Sequence, residues 1–134
     1  MSSPDSLRAA AFAAMENAYA PYSRFRVGAA LKAASGEVII GCNVENAAYG
    51  EALCAERVAV AAAVAKGLRD FEEIAIASES EDPSPPCGSC RQTMSEFAPD
   101  LIVTSYGKNG KKATWRVSDL LPEAFALNHL RGIK

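Results

Sequence analysis

Three cysteines and one glutamate lie in two short motifs whose spacing constrains the fold more than any other feature of the chain. The first motif is Cys54-Ala55-Glu56, and the second is Pro86-Cys87-Gly88-Ser89-Cys90. Three thiolates can bind a zinc ion, and a site with three protein ligands keeps a fourth position open for water, as catalytic zinc sites do. The glutamate follows the first cysteine closely enough for its carboxylate to reach that fourth position. We therefore predict a fold that joins both motifs at one catalytic zinc ion, with the ligands Cys54, Cys87 and Cys90.

The surroundings of the three cysteines favour their ionised form. Cys54 begins a helix predicted over residues 54–66, and the other two cysteines start a helix predicted over residues 88–97. Helix N-termini carry partial positive charge and free N–H donors, which lower the pKa of a thiol. Three thiolates still outweigh the charge of Zn²⁺, and Arg57 is predicted to donate to ligand sulfurs and offset the excess. The alternative is that Arg57 is an ordinary solvated residue.

The composition indicates one globular domain and argues against several classes of function. With 134 residues, the chain has the length of a single domain with one core, taken here as residues 1–134. The formal net charge is −2 and no Lys/Arg stripe is present, so a nucleic-acid partner is not expected. Neither an apolar run of membrane-spanning length nor a signal-peptide pattern is present. The four cysteines are therefore expected to be metal ligands or free thiols in a cytoplasmic protein without a membrane partner.

Helical and strand-like segments alternate along the chain. Apolar residues recur at helical spacing over residues 6–19, and strands over residues 27–34 and 37–42 form a predicted hairpin around the Ser35-Gly36 turn. The alternation predicts an α/β fold in which helices cover a sheet. The remaining predicted elements are a loop over 43–53, strands over 74–78, 101–106 and 113–117, a short helix capped by Ser118 and beginning with Asp119, and its extension over 123–127.

The predicted helix over residues 54–66 is apolar on every side, because alanine and valine fill most of its positions. A helix without a polar face is normally buried all round. One sheet and one neighbouring helix of so small a chain can hardly cover it. We therefore expect an oligomer in which the small residues let a helix of another subunit approach closely.

Taken together, the motifs resemble those of the small cytidine deaminases that act on free nucleosides. Zinc deaminases of nucleobases combine a ligand-x-Glu motif with a later Pro-Cys-x-x-Cys motif, and their ligands include either one histidine or three cysteines. The resemblance covers nearly the whole chain. Besides the two zinc motifs, it rests on Ala20-Pro21-Tyr22-Ser23 with Phe25, residues 41–50, Arg91-Gln92 and residues 120–125.

The resemblance implies an enzyme of pyrimidine salvage that hydrolyses cytidine and deoxycytidine to uridine and deoxyuridine plus ammonia. It also implies a three-layer α/β/α sandwich with a mixed five-stranded sheet, one Zn²⁺ per subunit and a homotetramer whose neighbouring subunits complete the pockets. Glu56 would be the catalytic residue, since it could take a proton from the water and pass protons to the pyrimidine. The alternative for Glu56 is an exposed helix carboxylate.

The same resemblance implies how a nucleoside is bound. The expected substrate-binding residues are Phe25, Asn43, Glu45, Tyr49, Ala55 and Phe125. Asn43 and Glu45 would hold the ribose hydroxyls and Phe25 would pack against the base, whereas Tyr49 and Phe125 would help to complete a neighbouring subunit's pocket. Without the resemblance, both phenylalanines would be interpreted as core aromatics.

Two observations on the residues themselves bear on the ribose assignment. Asn43 and Glu45 lie two apart in an extended loop, so their side chains point to the same side and can bond vicinal hydroxyls. The alternative is that both cap the loop through bonds to its backbone. Glu45 would also repel a phosphate group, and no basic cluster lies beside it. This favours nucleosides over nucleotides.

Other interpretations stay open at this point. Cys42 could be the fourth ligand of a structural zinc module, or the second motif could form a redox dithiol. A deaminase of another aminated heterocycle, such as a modified nucleoside or a nucleoside antibiotic, is also compatible, because Glu51 and Val58 depart from the family's usual pattern and are expected beside the pocket wall. An enzyme that edits nucleic acid is the least supported. His129, the only histidine, is expected at the surface without a role.

Overall fold

A sheet of five strands, with helices on both faces, organises the residues that the computed structural model describes, which are residues 4–127. The helices are α1 (Pro4–Met15), α2 (Ala55–Ala65), α3 (Gly88–Phe97) and the short α4 (Val117–Leu120). The strands are β1 (Val27–Ala33), β2 (Val38–Cys42), β3 (Phe71–Ser78), β4 (Ile102–Tyr106) and β5 (Lys112–Arg116), and a single 3-10 turn covers Tyr49–Glu51.

The sheet is mixed, as predicted. Its strand order is β2-β1-β3-β4-β5, with β3 and β4 parallel and every other neighbouring pair antiparallel. The parallel pair requires a crossover connection, and α3 supplies it. The second cysteine motif therefore lies in the connection that leaves the carboxyl end of β3.

The two faces of the sheet carry different side chains, because successive residues of a strand point to opposite sides. On one face, alanines of the central strands let α1 approach closely, and on the other face larger side chains pack under α2 and α3. The α1 side holds Leu7, Ala11, Met15, Ala30, Ala75, Ala77 and Tyr106. The opposite side includes Leu31, Ala59, Ala63, Ile74, Ile76, Met94 and Val103. The predicted three-layer α/β/α sandwich is confirmed.

The first helix is shorter than predicted. It ends at Met15 rather than Tyr19, because the backbone of Tyr19 pairs with the segment that follows β2. The Tyr19 N–H donates to the Asn43 carbonyl at 3.0 Å, and the Glu45 N–H donates to the Tyr19 carbonyl at 2.8 Å. These long-range bonds draw residues 16–19 out of the helix and fix the start of the loop that carries Phe25.

The C-terminal elements also differ from the prediction. The short helix begins at Val117, whose side chain is buried, and Ser118 does not cap it, because Ser118 lies within the helix and Arg116 is the residue before it. The predicted helical extension is wrong for residues 123–126, where Glu123 has a left-handed φ of 51°. His129 lies outside the described residues.

The helix α2 is only partly covered by its own chain. Ala55, Ala59 and Ala63 are buried against the sheet, but Ala61 and Ala65 are exposed. An apolar face therefore remains open in the single chain, which supports the expectation of a partner subunit. None of the described helices is long and apolar enough to cross a bilayer.

Candidate active site and metal centre

The three predicted zinc ligands converge on one point. The Sγ atoms of Cys54 and Cys87 are 3.6 Å apart, those of Cys87 and Cys90 are 3.5 Å apart, and all three lie within 4.8 Å of one another. A disulfide would need about 2.05 Å, so these are free thiols. A tetrahedral zinc ion with Zn–S bonds of about 2.3 Å separates its sulfur ligands by about 3.8 Å. The donor set thus fits zinc in both chemistry and spacing.

Two helix starts place the cysteines. Cys54 is the residue before α2 and Cys87 is the residue before α3, and both have extended backbone without a capping side-chain bond. Their thiols are therefore free to point away from the helix axes toward a shared ion. Cys90, in the first turn of α3, is buried beneath them. The predicted location of the ligands at helix N-termini is what the structure shows.

Hydrogen bonds within the cluster shift the pKa values of Cys54 and Cys90 in opposite directions. Donation from Cys90, and then from Arg57 and Cys87, lowers the pKa of the Cys54 thiol to about 5. The bond to Cys54, together with burial, raises the pKa of Cys90. Arg57 reaches the Cys54 Sγ at 3.9 Å through Nη2, which also donates to the Ala52 carbonyl at 3.0 Å. Arg57 is thus not a solvated surface residue, and its charge lies against the cluster.

Glu56 lies in the first turn of α2 and is only 5% exposed, which excludes the exposed-carboxylate alternative. Burial raises the pKa of its carboxyl, and the negative charge of Cys54 raises it further. A raised pKa makes a carboxyl a better proton acceptor, as a group that takes up and returns protons requires. The side chain lines the same cavity as Cys54 and Cys87, so a proton acceptor and a metal centre share one space.

The cavity beside the cluster has a volume of about 450 Å³, the size of a small-molecule site. Sequence reasoning did not anticipate several of the residues that line it, which are Val27, Ala52, Leu53, Ile76, Ser78, Ser84 and Pro85. Ser78 ends β3, and Ser84 and Pro85 precede Cys87 in the same connection. Ser84 and Pro85 lie next to the second cysteine motif, and this is the one feature of the sequence that could have indicated them.

Asn43 and Glu45 hold the loop that carries Phe25. The Asn43 side chain accepts from the Val27 N–H at 2.9 Å and donates to the Phe25 carbonyl at 2.8 Å. Glu45 accepts from the N–H groups of Tyr22 and Ser23 at 2.9 and 3.1 Å, and from the Ser23 hydroxyl. Loop capping is therefore real, yet both side chains also line the cavity.

The hydrogen bonds that Glu45 accepts also set its charge. Donation from the Ser23 side chain, and then from its backbone, holds the pKa of the Glu45 carboxyl below its usual range. The group is therefore a carboxylate at neutral pH. An anionic acceptor therefore lines the cavity.

The aromatic residues expected at the site take different positions. Phe25 and Tyr49 line the cavity of their own chain, and Ala55 lies at its floor. Phe125 does not line it, and its carbonyl accepts from the Gln92 side chain at 3.0 Å. Neither phenylalanine is a core residue, since Phe25 and Phe125 are both exposed. Glu51 and Val58 do not line the cavity, which removes one sequence-based reason for a different substrate.

Cys42 takes no part in the metal centre. It ends β2, opposite Gly28 of β1, and the only group of potential metal ligands found among residues 4–127 consists of Cys54, Cys87 and Cys90. The closed four-cysteine module therefore has no support in the structure. A site with three protein ligands keeps the open position that catalytic zinc needs.

A substitution at Cys42 tests this point directly. Cys42→Ser is expected to keep one zinc ion per chain, because Cys42 is not one of the three clustered thiols. Cys87→Ser, the matched change within the cluster, is expected to lose zinc. Metal content per chain, measured after gel filtration, compares the two. Loss of zinc from the Cys42 variant would instead support the hypothesis of a closed four-cysteine zinc module.

The comparisons with known proteins agree with this geometry. Residues 1–106 match the family model described as the cytidine and deoxycytidylate deaminase zinc-binding region. A cytidine deaminase of Halalkalibacterium halodurans is 49% identical over 86% of this chain and 88% of its own length. The crystal structure of a cytidine deaminase from Burkholderia pseudomallei superposes with a TM-score of 0.90 at 48% identity, covering 92% of this chain and 100% of the other. A blasticidin-S deaminase of Bacillus cereus is 32% identical over 79% of this chain and 81% of its own length.

The fold and the three-thiol site define a zinc-dependent hydrolytic enzyme. The chain belongs to the cytidine and deoxycytidylate deaminase family, whose model matches most of its length. It binds one zinc ion per chain at the three clustered cysteines.

Proposed function

We propose that this protein hydrolyses cytidine and deoxycytidine to uridine and deoxyuridine, releasing ammonia. The observation that carries the proposal is the buried Glu56 carboxyl in the same cavity as the zinc-binding thiols. The high identity to cytidine deaminases over most of both chains supports the same substrate class.

The chemistry divides between the metal and Glu56. Zinc held by Cys54, Cys87 and Cys90 would supply a Lewis acid that acidifies a water molecule at its open position. Glu56 accepts a proton from that water and donates it to N3 of the pyrimidine, so that C4 gains a hydroxyl group. Glu56 then moves the hydroxyl proton to the amino nitrogen, which leaves as ammonia. One water is consumed, and the proton on N3 remains in the product.

Arg57 is proposed to moderate the charge of the thiolates. Three thiolates exceed the charge of zinc by one, and this excess weakens the pull of the metal on its water. The guanidinium beside the Cys54 Sγ offsets part of it. The bond from the same Nη2 to the Ala52 carbonyl holds the guanidinium in that place.

Asn43 and Glu45 are proposed to bind the ribose hydroxyls, since both line the cavity and both keep unused hydrogen-bonding capacity. Glu45→Gln is expected to raise KM for cytidine by on the order of tenfold or more, because a hydrogen bond to a charged acceptor is lost, while kcat stays unchanged. Steady-state kinetics on the zinc-loaded protein measure both constants.

Glu79→Gln provides the matched control for that measurement. Glu79 also accepts a loop N–H, that of Arg26 at 2.8 Å, but does not line the active cavity. Its substitution should leave KM near the wild-type value. Equal effects of the two substitutions would mean that Glu45 acts through loop stability alone.

The charges of the cavity favour a nucleoside over a nucleotide. Of the described residues that line it, Arg57 is the one cation, and it is engaged by the Cys54 thiol and a backbone carbonyl. Glu45 presents a carboxylate to the cavity. A phosphate would meet repulsion and no free cation, so cytidine 5′-monophosphate should be a much poorer substrate than cytidine.

Ultraviolet absorbance tests the proposal. Zinc-loaded protein is mixed with cytidine, deoxycytidine and their 5′-monophosphates in separate reactions, and the loss of cytosine absorbance is followed. Rapid loss with the two nucleosides is the expected result. No loss with any of them, at one zinc ion per chain, would refute cytidine as the substrate. Blasticidin S in the same assay tests whether this protein deaminates that antibiotic, because one relative is named a blasticidin-S deaminase.

A homotetramer is proposed because the resemblance implies one, and the apolar surface that the chain leaves open supports self-association. The exposed residues Ile40, Leu53, Tyr49 and Phe125 are large and apolar or aromatic, and the face of α2 that includes Ala61 and Ala65 is uncovered. Phe125, which does not reach its own cavity, would contribute to that of a neighbour. Light scattering at micromolar concentration should give four times the chain mass, and a monomer would refute the proposal.

The proposed cellular role is pyrimidine salvage in the cytoplasm. It follows from the proposed reaction, which converts a cytosine nucleoside into a uracil nucleoside. Expression in a cell that can obtain uracil only from supplied cytidine tests it. Growth that depends on Glu56 is the expected result, and failure to grow despite activity in the extract would refute the role.

A further inference from the structure

We infer that Arg91 is a positioning residue of the metal centre, because its guanidinium holds the segment that carries Cys87. The zinc chemistry proposed above uses neither the pair Arg91-Gln92 nor residues 120–125. The structure joins them. The Arg91 Nε donates to the Pro86 carbonyl at 2.8 Å, and its Nη1 donates to the Leu120 carbonyl at 2.9 Å.

The composition of the segment over residues 83–87 makes this bond unusually important. Pro83, Pro85 and Pro86 have no backbone N–H, so the segment can donate few hydrogen bonds of its own. Such a segment is held chiefly through its carbonyl oxygens, which accept from donors elsewhere. Arg91 supplies two of these donors, since its backbone N–H also bonds the Cys87 carbonyl at 3.0 Å.

The other end of the guanidinium is fixed to a rigid partner. Leu120 is the last residue of α4, where helix carbonyls lack partners within the helix. The helix itself is anchored by Val117, whose side chain is wholly buried and whose N–H donates to the Leu101 carbonyl at 3.0 Å. The planar guanidinium directs its N–H groups in fixed directions, so it can bridge both carbonyls at once.

The position of Arg91 links these bonds to the metal. Pro86 is the residue before Cys87, so the accepting carbonyl belongs to the peptide unit that leads into the ligand. Ser84 and Pro85 of the same segment line the cavity. Loss of the bridge should therefore let the Cys87 thiol move, which speeds the release of zinc.

Zinc release measures this effect independently of catalysis. Zinc-loaded Arg91→Gln is mixed with an excess of a chromophoric chelator, and the rate of release is compared with that of the wild-type protein. Removal of a residue that orients a metal ligand typically costs roughly 10- to 100-fold in metal affinity, and a faster release of that order is expected. Arg91→Lys, which keeps the charge but replaces the fork by a single ammonium group, should fall between the two.

Arg69→Gln is the matched control. Arg69 also binds two carbonyls through its guanidinium, those of Val64 at 3.1 Å and Leu68 at 2.9 Å, but it lies at the far end of α2 and is exposed. Its substitution should leave the release rate unchanged. A wild-type rate in Arg91→Gln, or an equal increase in Arg69→Gln, would overturn the inference.

Two further measurements distinguish a failure of this inference from a failure of folding or of the proposed function. The absorption spectrum of the cobalt-substituted protein reports ligand geometry, and Arg91→Gln should alter it while Arg69→Gln should not. If Arg91→Gln does not fold, the lysine variant carries the test, and a wild-type release rate and spectrum there overturn the inference. None of these measurements uses cytidine. If the wild-type protein is inactive on cytidine and Arg91→Gln still releases zinc faster, the proposed function is refuted and this inference stands.

Discussion

Replacing Glu56 by glutamine is expected to lower kcat for cytidine by a factor of about 10²–10⁴ or more, the range of general acid–base catalysis. The carboxyl is buried at the start of α2, in the cavity that the zinc-binding thiols share. An amide of the same shape can hold hydrogen bonds, but it cannot take a proton from water and return it to the substrate. The substitution leaves the three thiols in place, so one zinc ion per chain should remain.

The measurement combines turnover with metal content. Initial rates are followed through the absorbance of cytidine, and zinc is quantified in the same preparation. Glu51→Gln is the matched control, because this exposed glutamate lies nearby in the 3-10 turn but does not line the cavity. Near-normal turnover by zinc-loaded Glu56→Gln would remove Glu56 from the mechanism.

The metal centre could be predicted from the sequence because its chemistry restricts the residue types. Thiolate ligands must be cysteines, and a proton shuttle beside them is commonly a carboxylate. The sequence alone can therefore indicate Cys54, Glu56, Cys87 and Cys90. Ser78 and Ser84 have no such signature. Serine is common on every kind of surface, and only the path of β3 and its connection brings these two to the cavity.

The error in the predicted end of the first helix has a physical cause. Local helical spacing suggested that α1 continues to Tyr19, but pairing of Tyr19 with Val44 outweighs that preference. Propensity differences between ordinary residues are a fraction of a kcal/mol, so a few long-range hydrogen bonds can override them. Since this pairing lies far apart in the sequence, a local pattern could not reveal it.

The loop that carries Phe25 shows that a structural interpretation of a residue does not exclude a functional one. Sequence reasoning set loop capping against ribose binding for Asn43 and Glu45. The structure shows capping bonds to the loop, and it also places both side chains at the cavity. The two interpretations are compatible because an amide and a carboxylate each have more hydrogen-bonding capacity than the loop uses.

Replacing Gly41 by alanine is expected to destabilise the fold strongly where α2 meets the sheet. Gly41 lies in β2 directly beneath the first turns of α2, where the chain backbones touch. A Cβ built there would lie 2.5 Å from the Ala55 carbonyl oxygen and 2.6 Å from the Ala59 nitrogen. These are backbone atoms, so no side-chain rotation can relieve the clash, and α2 must move away from the sheet.

The displacement of α2 should reduce both stability and zinc binding, because the same helix start carries Cys54 and Glu56. Overpacking of this kind costs about 3 kcal/mol or more when backbone must shift. In a chain of this length that cost corresponds to a fall in Tm of about 10 °C. Thermal unfolding of both proteins at one protein concentration measures it, since subunit association also contributes to Tm.

Gly50→Ala separates this effect from the general consequences of losing a glycine. A Cβ at Gly50 would meet no atom within 4 Å, and its backbone is not left-handed, so this substitution should leave Tm close to the wild-type value. An unchanged Tm for Gly41→Ala would show that α2 can slide along β2 without cost. The close approach of helix and strand would then not be what fixes Glu56 against the zinc-binding thiols.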